Sequence, residues 1–302
     1  MRIRKDCIRK AILMIIMMAL LIPAPVMGKS SAKNKVRLKD HEIKFDRILN
    51  ARDLGGYKTA KGKRIVKKGI LIRSGELAYA SSADIKRLKK KYKLKKIVDL
   101  RYPGDHNNCP DRKIGKAMNK SIPVRPSYSG NASAARSRYN RLKKKSDRKL
   151  RKAAIPDFDR VSRSYTYDLV MSSYSKKRYR KFFKVLLNNE KGKGVLFHCI
   201  YGKDRTGVAA FMTLVALGVD EETAYKEFSL TNTYLKKYGK KQYQNSNIGV
   251  SEKDLRYAVS KAKKKYGSLN RFLKKAYGLN YANRKKLRKI YTEIINTEGE
   301  NK

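Results

Sequence analysis

A cysteine and an arginine, separated by five residues, form the pattern in this chain best suited to chemistry. An apolar run at 195–197 leads through His198 to Cys199, Arg205 follows, and a second apolar run occupies 208–217. A cysteine between a strand and the first turn of a helix has a lowered pKa, because the helix N-terminus and nearby cations favour the thiolate. An arginine offers two parallel donors to an anion. The pattern predicts a thiolate that attacks a phosphate ester and forms a cysteinyl-phosphate.

The residues between them predict an anion-binding loop. Successive backbone N–H groups can converge on one centre, as in other phosphate sites at helix N-termini. We expect Ile200 and Tyr201 to contribute such amides, and Gly202 to allow the tight turn and close approach of the backbone. Thr206 is expected to hydrogen-bond the sulfur and help it leave, and His198 to order the loop rather than touch phosphate.

The same segment could instead hold a structural cysteine or a Walker phosphate loop. A Cys–Arg pair alone is common, and its ordinary meaning is a buried structural cysteine. The order strand, turn glycine, basic loop and helix favours the chemical interpretation. A Walker phosphate loop is excluded, because Gly202-Lys203 is followed by Asp204 rather than by Ser or Thr.

The segment His198-Cys-x5-Arg-Thr-Gly resembles the signature of cysteine-based protein tyrosine phosphatases, and its form at 202–207 resembles the bacterial tyrosine and phosphoinositide phosphatase family. Further segments similar to motifs of that family are Asn-Ala-Arg-Asp-Leu-Gly-Gly-Tyr at 50–57, Leu-Ile-Arg-Ser-Gly-Glu-Leu at 71–77, Ile-Val-Asp-Leu-Arg at 97–101 and Tyr-Gly-Ser at 266–268. The matches extend from about 43 to about 296.

The resemblance implies roles for further residues. It places Lys203 and Asp204 inside the phosphate loop. Lys203 would add a second cation and favour substrates with more than one phosphate, such as phosphoinositides, while Asp204 would be the general acid for the leaving group. Asp53 and Arg73, in the two upstream motifs, are implied as supporting residues. The resemblance implies neither a cofactor nor a metal.

The identity of the general acid stays open at this point. Other tyrosine phosphatases take the acid from a mobile upstream loop, and Asp157 and Asp159 lie at a suitable separation from Cys199. Asp168 is expected on the polar face of a helix. Tyr201 stands where such loops usually carry a smaller residue, so it would narrow the pocket mouth or stack on a substrate ring.

Strand and helix patterns alternate along the chain. They predict an α/β sandwich like that of cysteine phosphatases, with a mostly parallel central sheet flanked by helices and a helical C-terminal part. A helix is expected from Ser81 to about Tyr92, a buried strand at 95–100, and another strand at 121–124. Further helix boundaries are predicted by N-caps at Asp220 and Ser251 and by a stop at Gly278.

The sequence predicts an N-terminal targeting segment, a leader and one domain with an insertion. Residues 1–28 have the charged, apolar and small-residue order of a secretory signal, which predicts a secreted or cell-surface protein. An uncleaved membrane anchor is the alternative, although the apolar run 11–22 is shorter than the ~20 residues that span a bilayer. Residues 29–42 are expected to form a flexible basic leader. Residues 43–302 then form the phosphatase domain, with a basic, mobile insertion at about 127–160.

Charge and cysteine usage restrict the partners. The net charge is +51, with 76 Lys and Arg against 25 Asp and Glu. Such a field attracts anionic wall polymers or membrane surfaces without specificity, but no module that reads nucleic-acid bases is present. The three cysteines, at 7, 109 and 199, imply no disulfide framework. A protective bridge between Cys109 and Cys199 is an alternative to an ordinary cysteine at 109. The three histidines are too far apart in sequence to suggest a metal site.

The leading hypothesis is therefore an exported, metal-independent phosphatase. Its substrates would be phosphotyrosine, with phosphoserine, phosphothreonine and phosphoinositides as further candidates. An inositol-polyphosphate phosphatase would share the same loop. A non-catalytic surface protein that binds polyanions is the alternative from another functional class.

Overall fold

The protein is represented by a computed structural model that describes residues 41–125, 155–242 and 249–295. Its elements, in chain order, are β1 (Arg52–Asp53), β2 (Arg64–Val66), β3 (Leu71–Ser74), α1 (Ser82–Lys90), β4 (Leu94–Asp99), α2 (Pro103–Asn108), β5 (Met118–Ser121), α3 (Ile155–Met171), α4 (Ser173–Leu187), β6 (Gly194–His198), α5 (Asp204–Leu217), α6 (Glu221–Gln242), α7 (Glu252–Tyr266), α8 (Leu269–Tyr277), α9 (Tyr281–Tyr291) and β7 (Thr292–Ile294).

The strand that leads to Cys199 lies at the centre of a five-stranded sheet with the order β1-β3-β6-β4-β5. Strands β3, β6, β4 and β5 are parallel, and only the short edge strand β1 is antiparallel. All residues of β3 and β6 are buried, and β6 is apolar from Val195 to Phe197, as expected for a central parallel strand. A separate two-stranded ribbon joins β2 to β7. The α/β prediction with a mostly parallel central sheet is confirmed.

The alternation of side chains along the strands divides the core into two parts. Val195 and Phe197 of β6 join the larger cluster, which contains residues of the helices α4, α5, α7, α8 and α9. Leu196 of the same strand points to a smaller cluster that includes Leu88 of α1. Both faces of the sheet are therefore covered, and the C-terminal part of the chain supplies most of the cover on one side.

Local capping explains several helix boundaries. Ser81 and Asp84 form a reciprocal capping box at the start of α1. The Ser251 hydroxyl accepts from the Asp254 amide at the start of α7, and the Asp220 carboxylate accepts from the Thr223 amide before α6. Gly278 ends α8 with a φ of +73°, a left-handed conformation that suits glycine. The predicted helix start at Ser81, the N-caps at Asp220 and Ser251 and the stop at Gly278 are confirmed.

Three boundaries, and the exposure of one side chain, differ from the predictions. The strand expected at 121–124 lies at Met118–Ser121, where β4 offers parallel partners. Residues 155–160, assigned to the mobile insertion, begin helix α3. The folded part also starts before 43, because the ring of His41 stacks on Tyr57 at 4.1 Å. Asp168 does lie on a helix, but it is buried rather than on an exposed polar face.

Several predictions fall on residues that the structure does not describe. The signal at 1–28, nearly all of the leader and residues 127–154 of the insertion lie outside the described residues. Within 41–125, 155–242 and 249–295, no helix has the length and apolar character to cross a bilayer.

Candidate active site

Cys199 directly follows β6, at the carboxyl end of the central strand, where α/β sheets place their ligands. It is a free thiol with 2% of its surface exposed, so the alternative bridge to Cys109 is absent from this structure. Helix α5 begins five residues later, at Asp204. The sulfur is therefore held between a buried strand and the first turn of a buried helix.

The surroundings of the sulfur favour the thiolate. Burial alone would raise the pKa of the Cys199 thiol. The charge of Arg205, together with the hydroxyl and amide of Thr206, outweighs burial and lowers the pKa below its ordinary value. A cysteine with a lowered pKa is a better nucleophile near neutral pH than an ordinary buried cysteine.

The carbonyl groups of the loop after Cys199 accept hydrogen bonds from neighbouring segments of the chain. The Ile200 carbonyl accepts from the Glu76 amide at 2.9 Å, and the Tyr201 carbonyl accepts from the Asn50 side chain at 2.9 Å. The Gly202 carbonyl accepts from Asn50 at 3.0 Å, and Arg73 also donates to it at 2.5 Å. These bonds occupy the carbonyls of the loop and leave its backbone N–H groups as the donors that an anion-binding loop would use.

Gly202 is required at the tightest point of this loop. Its φ is +63°, and a Cβ at this position would lie 2.3 Å from the backbone oxygen of Ser74. No side chain fits such a gap, because the neighbour is backbone. The turn that closes the loop over the end of β3 therefore depends on glycine.

The helix that follows the loop begins without a side-chain cap. The N-cap residue of α5 is Lys203, which makes no capping hydrogen bond, whereas Ser81, Ser172 and Ser268 cap the helices that follow them. The first N–H groups of α5 and the positive end of its dipole therefore stay available to an anion in the loop.

Arg205 occupies the first turn of α5 and is held from several sides. Its guanidinium lies 4.7 Å from the centre of the Tyr102 ring and 3.7 Å from the Asp105 carboxylate. Its backbone carbonyl accepts from the Tyr179 hydroxyl at 2.9 Å. Only 8% of its side chain is exposed. Arg205 is thus fixed beside Cys199 and can offer its planar donors to a bound phosphate.

Lys203 is the N-cap residue of α5 and Asp204 is its first residue, so both lie where the loop joins the helix. Lys203 Nζ donates to the Gly249 carbonyl at 3.3 Å and lies 3.8 Å from an Asp204 oxygen. The Lys203 side chain is 10% exposed and that of Asp204 is 30% exposed. Asp204 thus has the greater access to a substrate that enters from solvent, while the ammonium group of Lys203 is held close to the loop.

A buried ion triad lies under the loop. Glu227 of α6 accepts from Arg52 at 2.8 Å and from Arg73 at 2.7 Å, and all three side chains are fully buried. Burial would raise the pKa of Glu227, but the two guanidinium groups lower it. Thr231, one turn later, accepts from Arg52 at 3.0 Å. Arg73 connects this triad to the Gly202 carbonyl, so α6 helps to set the shape of the loop.

A second buried network holds His198. Its Nδ1 donates to the Cys199 carbonyl at 3.2 Å, and its Nε2 lies 2.9 Å from the Asp111 carboxylate. Both ring nitrogens therefore face oxygen acceptors. Burial would lower the pKa of His198, but Asp111 and Asp99 raise it. The two carboxylates thus favour the protonated form of His198, directly beside Cys199.

The carboxylates of this network are shared with Arg101. It donates to Asp99 at 2.8 Å, to Asp111 at 2.9 Å and to Glu76 at 2.8 Å. Ligand-type atoms of Asp99, Asp111 and His198 lie within 4.8 Å of one another. Within the described residues, Arg101 and His198 are the positively charged or ionisable partners that these two carboxylates face.

The structure brings together some of the predicted residues and separates others. Arg73 touches the loop. The carboxylate of Asp53 instead accepts from the amides of Gly55 at 2.8 Å and Gly69 at 2.6 Å, so it braces these turns. Among the alternative acids, Asp157 and Asp159 lie in the first two turns of α3, not on a loop, and Asp159 is exposed.

Sequence reasoning missed several residues of the site. Asn50 lies in a motif that was recognised, but its side chain was given no role. Glu227 could have been noticed, because it follows the buried Ala224 and precedes the buried Phe228 on the apolar side of α6. Asp105 lies on helix α2, after the Asp-Leu-Arg motif. Nothing in its local sequence indicates that its carboxylate faces Arg205.

Comparisons with known proteins agree with this geometry. The model of the tyrosine phosphatase family matches residues 43–293. A protein of Cupriavidus necator, named "Putative tyrosine-protein phosphatase", is 33% identical over 206 residues; the match covers 64% of this chain and 63% of the relative. This chain therefore matches less than two thirds of that relative's length.

A solved structure is also similar, with a lower sequence identity. TpbA from P. aeruginosa, in complex with phosphotyrosine, is 15% identical, and the match covers 68% of this chain and 96% of TpbA with a TM-score of 0.28. A TM-score this low carries no argument about fold or function. The family match spans most of the chain and includes the loop, the buried triad and the His198 network. The chain belongs to the tyrosine phosphatase family.

Proposed function

We propose that the chain hydrolyses phosphate monoesters, with phosphotyrosine as the first substrate class, through a cysteinyl-phosphate. One observation carries the proposal: Cys199 is a free thiol with a lowered pKa, beside Arg205 and a loop whose carbonyls are turned away from it. Family membership supports phosphatase activity, and the site supports its mechanism.

The proposed reaction has two displacements. The Cys199 sulfur attacks phosphorus, so an S–P bond forms while the P–O bond to the leaving oxygen breaks, and an acid protonates that oxygen. Water then attacks phosphorus and gives its proton to the same carboxylate, and the S–P electron pair returns to sulfur. Arg205 and the loop amides bind the other phosphoryl oxygens, whose charge is stabilised in both transition states.

Two carboxylates are candidates for the acid. Asp204 stands at the start of α5 and is the more exposed member of its pair with Lys203. Asp105 lies 3.7 Å from Arg205, and its side chain is 22% exposed. We favour Asp204, because it belongs to the phosphate loop itself, whereas Asp105 directly faces the guanidinium that must bind phosphate.

The decisive experiment measures phosphate release in a reducing buffer with chelator. The substrates are a phosphotyrosine peptide, a phosphoserine peptide, phosphoinositide vesicles and inositol hexakisphosphate. The Cys199→Ser variant is expected to lose turnover and keep substrate binding. Wild-type turnover by this variant would exclude the cysteinyl-phosphate. A wild-type protein that binds these substrates without releasing phosphate from any would favour the non-catalytic polyanion-binding alternative.

Lys203 favours substrates that carry a second phosphate. Its ammonium group is held at the loop by the Gly249 carbonyl, and a second phosphate would offer it a charged partner in place of a neutral one. The proposed further substrates are therefore phosphoinositides or soluble inositol polyphosphates. The Lys203→Gln variant should lower kcat/KM for these substrates more than for a phosphotyrosine peptide. Equal losses on both classes would reject this specificity.

We further propose that the protein is exported and acts at the cell surface or outside the cell. The order of charged, apolar and small residues in 1–28 supports export. Fractionation of cells that express the full chain, with N-terminal sequencing of the mature protein, tests it. A mature protein that begins near residue 29 would support export. A protein that keeps residues 1–28 and stays in the membrane fraction would instead indicate an anchor.

A further inference from the structure

Three neighbouring helices carry cations and no carboxylates. Helices α4, α8 and α9 contain six, three and five Lys or Arg residues, and neither Asp nor Glu. Helix α4 contacts both of the others: its Tyr179 packs edge-on against Tyr277 of α8, and its Leu186 carbonyl accepts from the Tyr291 hydroxyl of α9 at 2.9 Å. We call their outward surface the basic face, represented by the exposed lysines Lys177, Lys181, Lys184, Lys274, Lys275 and Lys286.

The helical period directs these lysines away from the core. Lys177, Lys181 and Lys184 are spaced by four and three residues, so they form one stripe along α4. The opposite side of the same helix buries Phe182 and Phe183. The apolar sides of α8 and α9 are likewise used in the core. The basic face therefore offers charge to solvent rather than apolar surface.

The charges of the basic face are not compensated by the described residues. None of its six lysines has a carboxylate within ion-pair distance in 41–125, 155–242 or 249–295. The neighbouring helices α6 and α7 differ, because Glu221 pairs with Lys263, and Arg256 pairs with Glu222 and Glu252. The carboxylates on α6 and α7 thus neutralise cations there and leave none for α4, α8 and α9.

We propose that the basic face binds a linear polyanion with closely spaced phosphate groups. Unpaired cations on adjacent helices repel one another, and a polyanion removes this repulsion while it releases counterions. The 15 residues of α4 extend over ~22 Å, enough for several successive phosphates. A bilayer is less favoured, because surface helices that bind membranes bury an apolar side in the lipid, and here those sides lie in the core. This binding is independent of the proposed catalysis.

The test compares two variants with the same loss of charge. The face variant carries Lys177→Gln, Lys181→Gln, Lys184→Gln, Lys274→Gln, Lys275→Gln and Lys286→Gln. The control variant carries six exposed substitutions on α1 and α7, namely Lys86→Gln, Lys89→Gln, Lys90→Gln, Lys253→Gln, Lys264→Gln and Lys265→Gln. Binding of the full chain to immobilised inorganic polyphosphate is measured over a range of salt concentrations. Vesicles that contain phosphatidylglycerol are measured in parallel.

The expected result is specific to the face. The face variant should bind polyphosphate at least about tenfold more weakly at low salt, with a shallower dependence on salt. The control variant should stay close to wild type, and all three proteins should hydrolyse p-nitrophenyl phosphate at the same rate. Equal weakening in both variants would overturn the proposal, because net charge alone would then explain binding. Lost vesicle binding with unchanged polyphosphate binding would overturn it in favour of a bilayer.

Discussion

Replacing Asp111 by Asn tests the buried network that holds His198 beside Cys199. The substitution removes the negative charge 2.9 Å from His198 Nε2 and also weakens the contact with Arg101. An Asn side chain can still accept the hydrogen bond that the Leu77 amide gives to Asp111. The variant therefore removes mainly charge, and we expect it to destabilise the folded protein and displace the Cys199 carbonyl.

The expected loss in the free energy of unfolding follows from the pKa of Asp111. Burial would raise this pKa, but His198 and Arg101 lower it from 3.8 to about 2. A lowering of this size corresponds to roughly 2–3 kcal/mol of stability at neutral pH. The carboxylate is 3% exposed, so solvent screening reduces this value little. We expect Asp111→Asn to lower the free energy of unfolding by about 2–3 kcal/mol at pH 6.

The pH dependence identifies the cause. The lowered pKa of Asp111 gives stability that is present above pH 4 and is lost as pH falls through about 2. The raised pKa of His198 gives stability that is present below pH 6.5 and is lost as pH rises through the folded value. Urea unfolding at several pH values should therefore show the largest difference between wild type and variant between about pH 4 and 6.5.

An exposed pair supplies the matched control. Glu190 lies 3.1 Å from Lys95, and their side chains are 53% and 45% exposed. Glu190→Gln should change the free energy of unfolding by less than about 1 kcal/mol. The reasoning is refuted if Asp111→Asn costs the same at every pH, or if it costs no more than Glu190→Gln.

Three further predictions concern the loop, its acid and its support. Gly202→Ala should lower kcat/KM at least about a hundredfold, because a Cβ there would meet backbone at 2.3 Å, whereas Gly62→Ala, with φ +69° and open space, should leave activity unchanged. Asp204→Asn should slow hydrolysis of esters with poor leaving groups far more than of p-nitrophenyl phosphate; if Asp105→Asn alone gives this pattern, Asp105 is the acid. Glu227→Gln should cost about 3–5 kcal/mol in urea unfolding, because it leaves two buried guanidinium groups without their anion, and a cost under about 1 kcal/mol would contradict the role of the triad.

The features predicted correctly from sequence are those that depend on neighbouring residues. The loop after Cys199 requires a strand, a turn glycine and a helix in succession, and each leaves a local signal. The same is true of the cap at Ser81, where the partner is three residues away. The mostly parallel sheet could be predicted because strand and helix patterns alternate along the chain.

The features that were missed depend on contacts between distant segments. The role of Glu227 needs the positions of β1 and β3, which bring Arg52 and Arg73 to one point of α6. Asp53 was assigned to the site because it lies in a recognised motif near Asn50. Successive side chains of a strand point to opposite sides, however. The Asp53 carboxylate therefore accepts from the amides of Gly55 and Gly69 instead of contacting the loop.

The distant anchors of the loop have a consequence for folding. Its carbonyls are held by Asn50 and Arg73, which precede Gly202 by 152 and 129 positions. Contacts over such separations form only after most of the chain has collapsed, since closing a long segment costs entropy that local contacts do not. We therefore expect the loop carbonyls to reach their anchored positions late in folding, after β6 and α5 have formed. A thiolate is also the form of cysteine most easily oxidised. Arg205 and Thr206, which favour the thiolate, lie only six and seven positions after Cys199, so we expect this reactive form to arise before the distant anchors enclose the loop.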